Sequence, residues 1–186
     1  MTGKIRIIGG QWRGRKLVVP DRPGLRPTGD RSRETLFNWL QAAVPGARCL
    51  DLFAGTGALG LEALSRGAAS AVFVERDRRL AEALRGVAAS WPGGDRIEVV
   101  QADALRWLVG TGRQYDLVFI DPPFTDGLQG QVLKLLERDG LLAVDARIYV
   151  EQDTRDPEIE PGDGFDLLRC KTLGDVRMTL LAHPAS

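Results

Sequence analysis

The sequence predicts an α/β domain built on a mostly parallel seven-stranded sheet, with helices on both faces and an antiparallel hairpin at the end. From residue 46 onward, short apolar runs alternate with stretches at helical spacing, which favours right-handed crossovers between parallel strands. Residues 115–120 are apolar in the centre of the run, as expected of a strand covered on both faces. Residues 165–171 and 176–182 are two strand-like runs joined by a short turn, which is typical of a β-hairpin.

The elements of this domain, residues 46–186, follow one another in a regular order. Gly67 closes the first helix, as glycine often does at helix ends. The alternation is Rossmann-like, and the terminal hairpin favours the seven-stranded class I methyltransferase architecture over that of a dinucleotide dehydrogenase. We expect strands at residues 48–53, 71–75, 97–101, 115–120 and 148–151, and helices at residues 58–66, 78–89, 105–109 and 128–136.

Two shorter segments precede the domain. Residues 1–20 carry strand-like runs on either side of a glycine pair and predict a small basic β-hairpin that stands apart from the main domain. Residues 21–45 predict a connector and a first helix, because the proline-rich stretch 20–27 gives way to an apolar face at helical spacing. Thr28 or Asp30 is expected to cap that helix.

Composition excludes several classes of protein. Hydrophobic residues make up 44% of the chain and charged residues 27%, which is typical of a globular domain and not of a disordered one. The sequence has no apolar run of the ~20 residues that a membrane span needs, and no signal-peptide core follows the N-terminus. Cys49 and Cys170 lie far apart without metal-ligand spacing, so we expect neither a disulfide nor a metal site, and a cytoplasmic location.

The charge of the chain is unevenly distributed. Residues 1–39 hold nine Lys and Arg against three Asp and Glu, a balance of +6, and the rest of the chain has a balance of −6. This asymmetry indicates that the basic end meets a polyanion, although a solvated arginine-rich surface is the alternative. Trp12 lies among these basic residues, where stacking on RNA and local packing are both open. The candidate RNA contacts are Arg6, Trp12, Arg13, Arg15, Lys16, Arg26 and Arg33.

Residues 51–60 form a glycine-rich turn between the first strand and the first helix of the domain. Its three glycines also satisfy the dinucleotide fingerprint, but Asp51 suits the ammonium and sulfonium charges of S-adenosylmethionine and is a poor neighbour for pyrophosphate. Glu75 and Asp103 end the next two strands, where they can accept from ribose hydroxyls and from the adenine amino group. The candidate cofactor residues are Asp51, Phe53, Gly55, Gly57, Glu75, Arg76, Asp103 and Ala104.

The fourth strand ends in Asp121-Pro122-Pro123-Phe124, the candidate catalytic motif. Two consecutive prolines remove two backbone donors and leave a carboxylate and carbonyls as acceptors, which suits an NH₂ group. Asp121 and the Pro122 carbonyl would hold the amine hydrogens. The target base would have to flip out of the RNA before it could stack on the Phe124 ring. The motif therefore predicts direct methyl transfer to an amine without a metal ion or a covalent enzyme intermediate.

Four segments together resemble one family: Ile5–Leu17 with its Trp-Arg-Gly-Arg stretch, Arg26–Phe37, Asp51–Gly57, and Asp121–Phe124. They are similar to the bacterial 16S ribosomal RNA guanine-N2 methyltransferases of the RsmD type. The first two segments are narrower markers than the last two, which many amino-methyltransferases share. The resemblance implies methylation of a guanine N2 in 16S rRNA, within the small ribosomal subunit, by an enzyme that we expect to be monomeric.

The resemblance also implies roles that spacing alone does not. The hairpin would contact RNA, and the residues expected to fold back near the methyl donor are Thr28, Asp30 and Arg31.

Three other functions remain open. A DNA adenine-N6 or cytosine-N4 methyltransferase uses the same motif, although it usually needs a further target-recognition segment. A glutamine methyltransferase usually has Asn at position 121, and a silent nucleotide-binding RNA scaffold would not require Asp51, Glu75 and Asp121.

Overall fold

A computed structural model describes residues 4–18, 29–123 and 127–184 of the chain. In these residues the chain forms nine strands and five α-helices. The strands are β1 Lys4–Arg6, β2 Lys16–Val18, β3 Arg48–Asp51, β4 Ser70–Glu75, β5 Ile97–Gln101, β6 Tyr115–Ile120, β7 Leu142–Asp153, β8 Asp166–Leu173 and β9 Val176–Ala182. The helices are α1 Asp30–Trp39, α2 Ala58–Ser65, α3 Arg78–Ser90, α4 Ala104–Leu108 and α5 Gln129–Arg138.

Seven strands form one sheet in the order β5-β4-β3-β6-β7-β9-β8. The first five are parallel to one another, and β9 is antiparallel to both β7 and β8. The predicted parallel sheet with a C-terminal antiparallel hairpin is confirmed. The strand order reverses between β3 and β6, and open α/β sheets bind their ligands outside the carboxyl ends of the strands at such a point.

Apolar side chains on the two faces of the sheet form two separate cores. Leu117 and Phe119 of β6 lie in the core that contains α1 and α2, whereas Val118 and Ile120 lie in the core that contains α5. This alternation follows from the strand geometry, since successive side chains point to opposite faces. The central strands are buried on both faces, which explains their continuous apolar sequence.

Strand β7 is much longer than the sequence predicted. We expected a strand at residues 148–151, but β7 begins at Leu142. The pairing with β6 is irregular, and Asp145 in the interruption has a positive φ of 59°. Such a bulge breaks the period-two pattern that a sequence can reveal, so the first half of the strand was missed.

The predicted N-terminal hairpin is confirmed, since β1 and β2 pair in antiparallel register. It does not stand apart from the domain, however. Ile7 and Trp12 belong to the same core as α1 and α2. The backbone N–H groups of Ile8 and Gly9 donate to Glu62 of α2, each at 2.8 Å, so the hairpin is fixed to that helix. Among the described residues, no helix is both long and apolar enough to span a membrane.

Candidate functional site

Carboxylates end four adjacent strands of the sheet. Asp51 ends β3, Glu75 ends β4, Asp121 follows β6, and Glu151 lies near the end of β7. The side chain two positions before each of them lies in the same apolar core, namely Cys49, Phe73, Phe119 and Tyr149. Since every second residue of a strand shares a face, all four acids are at one edge and on one face of the sheet. This is the edge where open α/β sheets bind ligands.

The glycine-rich turn packs tightly between Asp51 and helix α2. The Asp51 carboxylate accepts from the backbone N–H of Gly60 at 3.0 Å, and so caps the first turn of α2. A Cβ atom on Gly60 would lie 2.4 Å from the Phe73 ring, so only glycine fits there. Gly57 has a φ of 77° and a Cβ would meet Leu84 at 2.4 Å, which again requires glycine.

Burial makes Asp51 an unusual acid. The pKa of Asp51 is raised to about 7, chiefly by loss of solvation and also by the nearby charge of Glu75, while the Gly60 hydrogen bond opposes both effects. A positive group placed beside Asp51 would stabilise the carboxylate and lower the pKa. The site therefore favours a cationic ligand group at this position.

Glu75 joins two loops at the same edge. Its carboxylate accepts from the backbone N–H of Gly55 at 2.8 Å and from that of Asp77 at 2.7 Å. It thereby fixes the glycine turn relative to the loop between β4 and α3. Arg76, next in that loop, has an exposed side chain, and Phe53 is half-buried.

Asp103 lies beyond the end of β5, beside the Glu75 position, because Glu75 pairs with Gln101 in the sheet. Its carboxylate accepts from the Arg106 N–H at 3.1 Å and caps α4, while the side chain remains exposed. Ala104 is buried. The structure thus brings together, along one edge, the cofactor residues expected after β3, β4 and β5.

The catalytic motif follows β6, next to Asp51. Pro122 is buried, Pro123 is exposed and Asp121 is half-buried; Phe124 lies outside the described residues. Sequence reasoning missed the neighbouring strand end, where the Tyr149 hydroxyl donates to the Glu151 carboxylate at 2.8 Å. Burial raises the pKa of Tyr149, and the charges of Glu151 and Asp121 raise it further, so the hydroxyl stays protonated.

Helix α1 holds some of the residues expected near the methyl donor. Asp30 and Arg31 have exposed side chains, whereas Thr28 and Arg26 lie outside the described residues. Arg33 was predicted to contact RNA, and this prediction was wrong. Its side chain is fully buried and donates to Asp30 at 2.6 Å and to the Arg6 carbonyl at 2.8 Å.

The prediction that Trp12 contacts RNA was also wrong. Trp12 is 2% exposed, and its indole N–H donates to the Pro92 carbonyl at 3.0 Å. Its ring meets Trp91 edge-on, with 5.2 Å between the centroids. The fixed position of the hairpin on α2 turns this side chain inward. Trp91, in contrast, is half-buried and carries the Arg15 guanidinium over its ring at 5.2 Å.

The remaining basic residues of the hairpin stay on the surface. We call Arg6, Arg13, Arg15 and Lys16 the basic strip, and all four side chains are exposed. Arg6 keeps 63% exposure even though Asp30 lies 3.9 Å away. The strip is therefore accessible to a polyanion without any change in the fold of the hairpin.

Comparison with known proteins identifies the family. The family model described as conserved hypothetical protein 95 matches residues 5–182. The Escherichia coli (strain K12) protein named ribosomal RNA small subunit methyltransferase D is 49% identical over 99% of this chain and 92% of its own length. The Haemophilus influenzae protein of the same name is 44% identical over 96% of this chain and 93% of its own length.

A solved structure agrees with this result. The Escherichia coli protein yhhF, described as a candidate methyltransferase, has a TM-score of 0.90 and 45% identity, covering 99% of this chain and 100% of that chain. The predicted class I methyltransferase fold is thereby confirmed. The chain belongs to the family of the ribosomal RNA small subunit methyltransferase D proteins.

Proposed function

We propose that this chain transfers a methyl group from S-adenosylmethionine to the exocyclic N2 amine of a guanine in 16S ribosomal RNA. One observation carries the proposal: the Asp121-Pro122-Pro123 loop, which offers acceptors to an amine, lies beside the acid-lined turn at Asp51. The names of the relatives support small-subunit rRNA as the substrate. The choice of the guanine N2 amine rests on the resemblance of the four motif segments to the guanine-N2 methyltransferases.

The residues of the turn fit S-adenosylmethionine. Asp51 is a buried carboxylate whose raised pKa favours a neighbouring cation, and the donor carries an ammonium and a sulfonium group. Glu75 would hold the ribose hydroxyls, and Asp103 with Ala104 would hold the adenine. Gly57 and Gly60 let the chain turn and pack so closely that Asp51 reaches the first turn of α2. This combination is a poor fit to the pyrophosphate of a dinucleotide.

The chain supplies orientation and a proton acceptor. S-adenosylmethionine, when bound, supplies a methyl group that an amine lone pair displaces from sulfur, leaving a neutral thioether. Asp121 and the Pro122 carbonyl hold the amine hydrogens, so the nitrogen lone pair faces the donor pocket. Asp121 is also placed to accept the proton that the methylated nitrogen loses. Orientation of the two reactants and exclusion of water account for most of the rate enhancement in such a site.

The basic strip would bind the RNA. Four exposed cations on a hairpin that is fixed to α2 form a rigid surface, and contacts with phosphates need only charge and position. Most of the negative charge lies in residues 40–186, whose balance is −6, so we expect the hairpin to be the surface that attracts rRNA. We place the enzyme in the cytoplasm, acting as a monomer on the small ribosomal subunit.

Methyl-transfer assays with a labelled donor test this function. Small subunits from a strain that lacks the gene should accept label, and duplex DNA and protein release factors should not. The Asp121→Ala variant is the matched negative control, since it keeps the turn that holds the donor. Labelling of duplex DNA in preference to the subunit would contradict the proposal and favour the DNA methyltransferase alternative.

A further inference from the structure

Of the four acids at the ends of β3, β4, β6 and β7, the proposed chemistry leaves only Glu151 without a role. It lies near the end of β7, which pairs in parallel with β6 so that Ile120 is opposite Val150. The next residues along these two strands are Asp121 and Glu151, so the two acids are neighbours across the strand pair. Both contribute to the high pKa of the Tyr149 hydroxyl, which places both charges near that group.

Glu151 is held more rigidly than a loop residue. Its side chain is 4% exposed and accepts from the Tyr149 hydroxyl at 2.8 Å. Its backbone carbonyl accepts from the Gln129 side chain at 3.1 Å, and its backbone pairs with Met178 of β9. These contacts fix the backbone of Glu151 and one of its carboxylate oxygens, so the orientation of the side chain is defined. A defined orientation is required if a side chain is to recognise a particular ligand group.

Glu151 lies one strand away from the loop that the proposed function assigns to the substrate amine. Adjacent strands lie about 4.8 Å apart, so an acid in this position can meet the ring atom next to that amine.

The Watson–Crick edge of guanine differs from those of adenine and cytosine in the atom next to the amine. In guanine the N2 amine is adjacent to N1–H, which is a second donor. In adenine and cytosine the exocyclic amine is adjacent to an unprotonated ring nitrogen, which is an acceptor. Two neighbouring acceptors on the protein therefore match guanine, and they oppose the other two bases because an acceptor would face an acceptor.

We propose that Glu151 accepts the N1–H of the target guanine while Asp121 accepts an N2 hydrogen, so that this pair of strand ends selects guanine. The assignment rests on the proposed function, because it requires a guanine amine as the methyl acceptor. Tyr149 is a positioning residue in this arrangement, since its hydroxyl orients Glu151 and does not touch the base.

The base analogue 2-aminopurine tests the assignment. It keeps the amine at the same carbon but has an unprotonated N1 in place of N1–H. Small subunits would be reconstituted from 16S rRNA with either guanine or 2-aminopurine at the methylated position. We expect the wild-type kcat/KM to favour guanine by about 100-fold or more, since sites built to bind a substrate N–H reject analogues that lack it. The Glu151→Gln variant, whose amide can donate to N1, should reduce this preference at least tenfold.

Controls separate this effect from others. The analogue also lacks the guanine O6, but that loss affects wild-type and variant enzymes alike and cancels when their preferences are compared. Glu160→Gln makes the same chemical change at an exposed site and should leave the preference unchanged. Tyr149→Phe, which removes the hydroxyl that orients Glu151, should reduce the preference by less than Glu151→Gln does.

The outcomes are distinct. If wild-type enzyme methylates guanine and the analogue equally well, or if Glu151→Gln keeps the wild-type preference, the role of Glu151 is overturned and the proposed function stands. If wild-type enzyme methylates no guanine amine, the proposed function fails and this inference fails with it. The wild-type comparison needs no variant, so the inference can be refuted even if Glu151→Gln does not fold.

Discussion

S-adenosylhomocysteine is the product that S-adenosylmethionine leaves after methyl transfer. Lowering the pH from about 8 to about 6 should weaken its binding roughly tenfold, because the lower pH protonates Asp51. The pKa of this carboxyl is raised to about 7 by burial, so about nine-tenths of it is ionised at the higher pH and about one-tenth at the lower. The ligand ammonium binds the ionised form and lowers the pKa in the complex. Affinity is therefore present above pH ~7 and is lost as the pH falls below it.

Titration calorimetry at several pH values measures this dependence. The Asp51→Asn variant should bind more weakly at pH ~8 by about 1–3 kcal/mol, and its affinity should be nearly independent of pH. His183→Asn is the control, since His183 is the only histidine of the sequence and follows β9, at the opposite edge of the sheet. A flat pH profile in the wild type, or the same slope in Asp51→Asn, would refute the role of Asp51.

Three further predictions concern the reaction, the RNA and the hairpin. Asp121→Ala should abolish single-turnover methyl transfer and leave the affinity for S-adenosylhomocysteine nearly unchanged, because we propose that this carboxylate holds the acceptor amine. Replacing Arg13, Arg15 and Lys16 together with Ala should flatten the slope of log RNA affinity against log salt by about 2–3, measured by filter binding. Glu62→Gln should lower the free energy of unfolding by about 1–3 kcal/mol in urea titrations, because it removes a buried charge beside Arg33 and one of the two acceptors of the Ile8 and Gly9 N–H groups.

Each of these has its own control. Near-normal turnover by Asp121→Ala would contradict the amine-binding role. Arg79→Ala with Arg85→Ala removes exposed charges from α3 and should not change the salt slope, so an equal change there would indicate unspecific attraction. Glu82→Gln breaks an exposed ion pair with Arg78 and should alter stability by less than about 1 kcal/mol. A comparable loss in both variants would contradict the buried role of Glu62.

The parallel sheet and the acids of the turn were predictable because local patterns encode them. Asp51 and Glu75 each end a short apolar strand, and the glycines between the first strand and its helix mark a close approach of the backbone. The same rule, an acid ending an apolar strand, would have found Glu151 in β7, although no motif surrounds that residue.

Burial of side chains in the basic segment, residues 1–39, could not be predicted in the same way. Trp12 and Arg33 lie in a basic segment, and their composition indicates a surface that binds RNA. Their burial depends on contacts distant in sequence, chiefly with Glu62 on α2 and with the loop at Pro92. Nothing in the local sequence specifies where the hairpin and α1 will pack, so only the three-dimensional structure separates the buried arginine from the exposed ones.

The central claim concerns the product of the enzyme, and modified-nucleoside analysis of 16S rRNA tests it most directly. Mass spectrometry would compare rRNA from a strain that lacks this gene with rRNA from the same strain carrying the wild-type gene or the Asp121→Ala variant. The account predicts that one N2-methylguanosine is missing in the deletion strain, returns with the wild-type gene and stays missing with the variant. An unchanged N2-methylguanosine content, or the loss of a different modified nucleoside, would contradict it.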